Sequence, residues 1–139
     1  MQHFSSDGVS LAYIDLAPTT EPRGQAIVLV HGFGSSHAVN WVNTQWTKTL
    51  THAGYRVVAL DNRGHGQSEK LYDPAAYSSQ VMAEDVRRLM DHLEIGRAAV
   101  MGYSMGARIS AHLALAHPER LSALLLGGRF VPLALVLLA

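Results

Sequence analysis

The sequence contains no cysteine, which excludes disulfides, thiolate metal sites and a thiol nucleophile. It has no surplus of either charge: eleven basic and eleven acidic residues cancel, and no run of like charge occurs. Nucleic acid and anionic membrane surfaces are therefore not expected partners. Internal repeats and low-complexity stretches are absent too. The start, Met1-Gln2-His3-Phe4-Ser5-Ser6-Asp7, lacks the basic and then apolar segments that mark a secretory signal. With no cysteine, this is compatible with a reducing cytoplasm, which is the expected location. Long apolar runs are missing apart from residues 130–139, where only Pro132 interrupts. Ten residues are half of the ~20 needed to cross a bilayer, and extending backwards brings in Gly127-Gly128 and Arg129. No membrane span is expected.

What is present is a chain that is 48% hydrophobic over 139 residues. A domain of that length buries roughly two-thirds of its unfolded surface, so one core is expected. Residues 2–5 and 9–16 read as strands joined by Ser6-Asp7-Gly8, because Asp-Gly between such runs marks a hairpin. Ala26-Ile27-Val28-Leu29-Val30 is a continuous apolar run, the pattern of a strand buried on both faces. A helix is expected over about 42–52, closed by Gly54, followed by a strand at 55–60 and a long loop at 61–77. Ser78 should cap a helix reaching about residue 93, with Val81, Met82, Val86, Leu89, Met90 and Leu93 at three- and four-residue spacing and Gly96 as its stop. A strand at 98–102, a helix at 105–117 ended by Pro118 and a strand at 121–126 complete the series. Strands alternating with helices predict the α/β class: a mostly parallel sheet of about six strands, helices on both faces, and an antiparallel hairpin at the start.

The stretch richest in chemistry is Gly102-Tyr103-Ser104-Met105-Gly106, a G-x-S-x-G pattern between an apolar strand and a helix. A serine hydroxyl is a poor nucleophile unless it is exposed, aimed and deprotonated as it attacks. A sharp strand-to-helix turn does the aiming, and Gly102 and Gly106 leave room for its strained backbone. The start of the helix adds unpaired N–H groups where negative charge would develop. Acyl transfer also needs two donors for its tetrahedral oxyanion. The N–H of Met105 can be one, and His31-Gly32-Phe33-Gly34, leaving the buried strand at 26–30, can present the N–H of Phe33 as the other. His31 is read as pinning this loop by hydrogen bonding. Asp61-Asn62-Arg63-Gly64-His65-Gly66-Gln67-Ser68, after the strand at 55–60, reads as a turn held by polar side chains. No third ligand at useful spacing supports a metal at Asp61 and His65.

These three segments, in this order and each after a strand, resemble the α/β-hydrolase superfamily, in its group of small-molecule hydrolases with a serine nucleophile. The resemblance covers residues 1–128, a portion of the core domain, and leaves 129–139 as a divergent apolar tail. It implies Ser104 as nucleophile, Phe33 and Met105 as oxyanion-hole donors, a structural role for the 61–68 loop, and Asp85 as a tether of that loop. It implies no cofactor. Esterases, lipases, carbon–carbon bond hydrolases and cofactor-free haloperoxidases belong to this group. Dehalogenases and epoxide hydrolases of the fold usually carry Asp where Ser104 stands, which argues against both.

The resemblance also sets an order along the chain of nucleophile, acid, histidine. After Ser104 the only carboxylate is Glu119 and the only histidines are His112 and His117. All lie along or beyond one helix rising ~1.5 Å per residue, which puts His117 and Glu119 ~20 Å from Ser104. Of the earlier histidines, His37 is the nearest loop candidate for a base. The chain therefore reads as a hydrolase cut short before its acid and base, inactive alone. Two alternatives stay open: a non-catalytic binder of small ligands, and a subunit completed by another chain. The last strand would form an apolar sheet edge, so self-association is expected. Phe33, Tyr103 and Met105 are the expected pocket neighbours and hint at an apolar ester or related substrate.

Overall fold

The hairpin that opens the chain is tight. In the computed structural model, which describes residues 1–128, β1 (Gln2–Ser6) pairs antiparallel with β2 (Val9–Leu16). Ser6 opposes Val9, so the turn is only Asp7 and Gly8, with φ of 49° and 86°. Two left-handed residues give the turn whose twist matches that of the flanking strands.

Four further strands follow: β3 (Ala26–Val30), β4 (Arg56–Leu60), β5 (Ala98–Tyr103) and β6 (Leu121–Gly127). The sheet order is β1-β2-β4-β3-β5-β6, with β2 antiparallel to both β1 and β4 and the β4–β3, β3–β5 and β5–β6 pairs parallel. The β3 run is apolar throughout because both its faces are covered. Val28 and Val30 pack with Val58, Leu60 and Val100 under α2 (Ser79–His92) and α3 (Met105–Ala116). Ile27 and Leu29 pack with Val57, Ala59 and Trp41 on the opposite side, where α1 (Trp46–His52) lies. Cover on that second face thins towards β6, where Ala123 and Leu125 are exposed.

Two helix boundaries differ from expectation. The helix expected over 42–52 is split into a π-helical turn at Ala38–Val42 and α1, separated by Gln45 at φ 72°. Trp41 is buried while Trp46 is half-exposed, and the Asn40 side chain accepts the Gly32 N–H, which commits the first turn to the neighbouring loop. Ser78 caps α2 as expected, its hydroxyl accepting the Val81 N–H. The helix stops at Glu94 (φ 57°) and not at Gly96. Ile95 is buried and its N–H donates back to Met90 at 2.8 Å, so burying that side chain dictates the left-handed turn before it. No helix among the described residues is long and apolar enough to cross a membrane. The expected tail at 129–139 lies outside the described residues.

Candidate active site

β3 and β5 are neighbours in the sheet, with Val30 opposite Gly102, so the loops leaving their C-terminal ends abut. On either side of that pair the chain winds outward in opposite directions, to β4 and to β6. Such a reversal of strand order opens a crevice at the carboxyl ends of the strands.

Ser104 sits on the crevice rim at φ 56° and ψ −114°, a conformation that is costly for a residue with a Cβ. Its N–H donates to the Gly127 carbonyl at 2.9 Å, and its own carbonyl accepts from Ala107 and Arg108 in the first turn of α3. The bend requires glycine on both sides. A Cβ on Gly102 would collide with the Gly106 carbonyl, and one on Gly106 with the Val30 carbonyl. The Ser110 hydroxyl donates to that Gly106 carbonyl at 2.7 Å and fixes the first turn of α3.

Across the crevice, the 31–34 loop is held from beneath. The Asn62 N–H donates to His31 Nε2 at 3.0 Å, which leaves the proton on Nδ1, and that nitrogen donates to the Gly32 carbonyl at 2.7 Å. Burial pushes the His31 pKa down to about 4, so the ring is neutral at pH 7. Asn40 takes the Gly32 N–H at 2.8 Å. Neither the Phe33 N–H nor the Met105 N–H has an acceptor among the described residues. Phe33, Ser104, Met105 and Arg108 line a cleft of about 290 Å³. A second cleft of about 480 Å³ shares Phe33 and Met105 and is walled by Gly34, Gly64, His65, Leu71, Tyr77 and Met82. Tyr103 lines neither of these; it is half-exposed, with its ring beside Gly32 and Gly127.

The 61–68 loop braces this wall. Arg63 donates twice to Asp85, both bonds 2.7 Å, and once to the Ala76 carbonyl, while the Ser6 hydroxyl also donates to Asp85. Burial opposes charge on Asp61, but hydrogen bonds from His37 and the Gln67 N–H outweigh it and hold the carboxyl at about 2. Gly66 lies against that carboxylate, and His65 bonds the Arg63 carbonyl through Nδ1 at 2.9 Å. Among the described residues no three His, Asp or Glu side chains cluster in a way that could hold a metal ion. The Ser104 hydroxyl makes no hydrogen bond to a histidine among them. His37 is engaged with Asp61 at 2.8 Å, and His117 with Glu84 at 2.7 Å.

A sequence profile of the alpha/beta hydrolase fold matches residues 25–132. The chain belongs to the α/β-hydrolase family. Among its relatives, a putative 2-succinyl-6-hydroxy-2,4-cyclohexadiene-1-carboxylate synthase of Bacillus subtilis (strain 168) is 31% identical over 122 residues, covering 87% of this chain and 41% of that protein. Epoxide hydrolase B of Mycobacterium tuberculosis (strain ATCC 25618 / H37Rv) is 36% identical over 101 residues, covering 72% and 27%. The crystal structure of a probable hydrolytic enzyme from Pseudomonas aeruginosa PAO1 superposes with a TM-score of 0.78 at 36% identity, covering 90% of this chain and 39% of that one. The chain thus spans less than half the length of the relatives it matches.

Several contributors to this α/β-hydrolase site were not read from the sequence. Asn40, Gly127 and the walls Leu71, Tyr77 and Met82 reach the crevice only through tertiary pairing. The one available signal was Gly127-Gly128 at the end of a strand, since paired glycines there mark close backbone approach.

Proposed function

We propose that this chain carries the nucleophile and oxyanion hole of a hydrolase acting on esters or related acyl and carbon–carbon bonds. Ser104 Oγ attacks the carbonyl carbon and passes its proton to a base. The carbonyl oxygen becomes an oxyanion accepted by the N–H groups of Phe33 and Met105. The leaving group departs, and water then releases the acyl group from Ser104. Acyl transfer of this kind needs neither metal nor nucleotide. The carrying observation is the left-handed bend at Ser104, which opens on a cleft bordered by two main-chain N–H groups without acceptors. Strain of that kind persists only where the surroundings enforce it, and it clusters at reactive sites.

The base comes from outside the described residues, because their histidines are committed elsewhere or leave Ser104 Oγ unbonded. Losing the base of such a site costs several orders of magnitude in rate. The chain alone is therefore a very slow hydrolase whose partner for catalysis is a further segment or subunit.

The test is p-nitrophenyl acetate, followed both by p-nitrophenol release and by the mass of Ser104 peptides. The expected result is slow acetylation of Ser104 that added imidazole accelerates and Ser104→Ala abolishes. Hydrolysis that survives Ser104→Ala, or an adduct on another residue, overturns the nucleophile. Turnover at an ordinary enzyme rate that is lost in Ser104→Ala overturns the missing base.

A further inference from the structure

The arginines of this chain are engaged with other groups almost throughout. Seven of the eight among the described residues donate to a carboxylate, hydroxyl or backbone carbonyl. Arg108 alone makes no such bond among them, and it is exposed, so its guanidinium is open to a ligand. Arg108 stands four residues after Ser104, one turn into α3, and lines the same cleft as the serine. The adjoining larger cleft is walled mostly by apolar and aromatic side chains.

We propose that Arg108 binds a carboxylate of the substrate, which makes the substrate class an apolar acyl compound with an anionic end. This rests on the Ser104 reading above. The apolar body lies against Phe33, Met82 and Met105, the reacting carbonyl stands at Ser104, and the carboxylate reaches the guanidinium. A planar guanidinium offers two parallel N–H donors to a carboxylate, which a neutral ester end cannot exploit. The apolar substrate expected from the sequence thus becomes an amphiphilic one.

Two experiments on the full 139-residue chain test this. Titration calorimetry on Ser104→Ala compares monobenzyl glutarate with its neutral counterpart, benzyl valerate. The acid is expected to bind about tenfold tighter, since a charge-assisted hydrogen bond at an exposed site sits at the low end of its range. That preference should vanish in Ser104→Ala with Arg108→Gln, survive in part with Arg108→Lys, and shrink with added salt. In parallel, Ser104 acylation by mono-p-nitrophenyl glutarate and by p-nitrophenyl valerate is compared in chains with Arg108 and with Gln in its place. The acid-to-neutral rate ratio should fall about tenfold in Arg108→Gln. Equal binding of both ligands, or a preference that persists in Arg108→Gln, overturns the proposal. If the binding preference holds while no acyl group reaches Ser104, the nucleophile fails and the carboxylate site stands. If Ser104 acylates with no acid preference, the carboxylate site fails and the nucleophile stands.

Discussion

The N–H of Ser104 donates to the carbonyl of Gly127 across the top of the sheet, 2.9 Å apart, so the strained bend on β5 is anchored by the end of β6. The next residue, Gly128, has φ of 101°, and a Cβ there would stand 3.1 Å from the Ser104 nitrogen and 3.2 Å from its Cα.

Gly128→Ala should therefore disturb the bend as well as its own backbone. Gly24→Ala is the matched control, because Gly24 has φ of 70° but open space around its would-be Cβ. Both variants are expected to lose about 1 kcal/mol from the left-handed backbone. Only Gly128→Ala should also slow fluorophosphonate labelling of Ser104, by about tenfold or more, as small misplacements of a reacting group do. Equal labelling rates in the two variants would show that the Gly127–Gly128 contact does not aim the serine.

The elements that were legible in the sequence are those whose cause is local. The β3 run is apolar because both sheet faces are covered, and Ser78 caps α2 with a side chain that accepts from an N–H three residues on. Gly102 and Gly106 announce the bend because each meets backbone that lies only a few residues away or on the adjacent strand. What was not legible depends on pairing over long separations. Nothing near residue 45 signals that the Asn40 side chain is bound to Gly32 and that the helix must break. Gly96 resembled a helix stop, but the burial of Ile95 moved the turn to Glu94. Of the 61–68 loop the residues themselves show only polar character and the resemblance adds Asp85 as its tether, while Arg63 as the side chain that Asp85 holds, 22 residues away, and the part played by Ser6 in the first strand emerge only from the fold.

Asp85 and Arg63 are both nearly inaccessible, with 1% and 5% of their side chains exposed. Removing one partner leaves a buried charge uncompensated, so Asp85→Ala is expected to cost about 3–5 kcal/mol. Replacing both, as Arg63→Met with Asp85→Leu, should cost less than Asp85→Ala alone. Urea unfolding of the three chains measures this. A double variant at least as unstable as Asp85→Ala would mean that the pair contributes net stability beyond avoiding an orphan.

Acid should weaken the fold in two stages. The folded pKa of His31, about 4, lies below the ordinary 6.5, so the unfolded chain takes up this proton first. The stabilisation is fully present above pH 6.5, is lost as pH falls from 6.5 towards 4, and changes no further below that. Between pH 7 and pH 5 the loss from this ring is about 2 kcal/mol. Asp61, held at about 2 against an ordinary 3.8, adds a second loss as pH falls from 3.8 towards 2. Urea midpoints across this range measure the sum, and the His31 ring signals in NMR identify the first stage. A His31 ring that titrates near 6.5 in the folded chain would remove it.

The last prediction concerns the outer edge of β6, which has no strand partner among the described residues. Parallel pairing with β5 satisfies one side of β6, while its other N–H and C=O groups face outward. Ala123 and Leu125 beside them are exposed, and Leu125 retains 47% of its accessible surface. An unpaired, apolar strand edge is a template for another chain. The isolated chain is expected to associate through it, giving masses above 15.1 kDa in size-exclusion chromatography with light scattering, increasingly so at higher concentration. Leu125→Lys places a charge that a second strand could approach only by desolvating it, and should return the population towards monomer. A single 15.1 kDa species at every concentration would show that the edge is already covered, and association unaffected by Leu125→Lys would place the interface elsewhere.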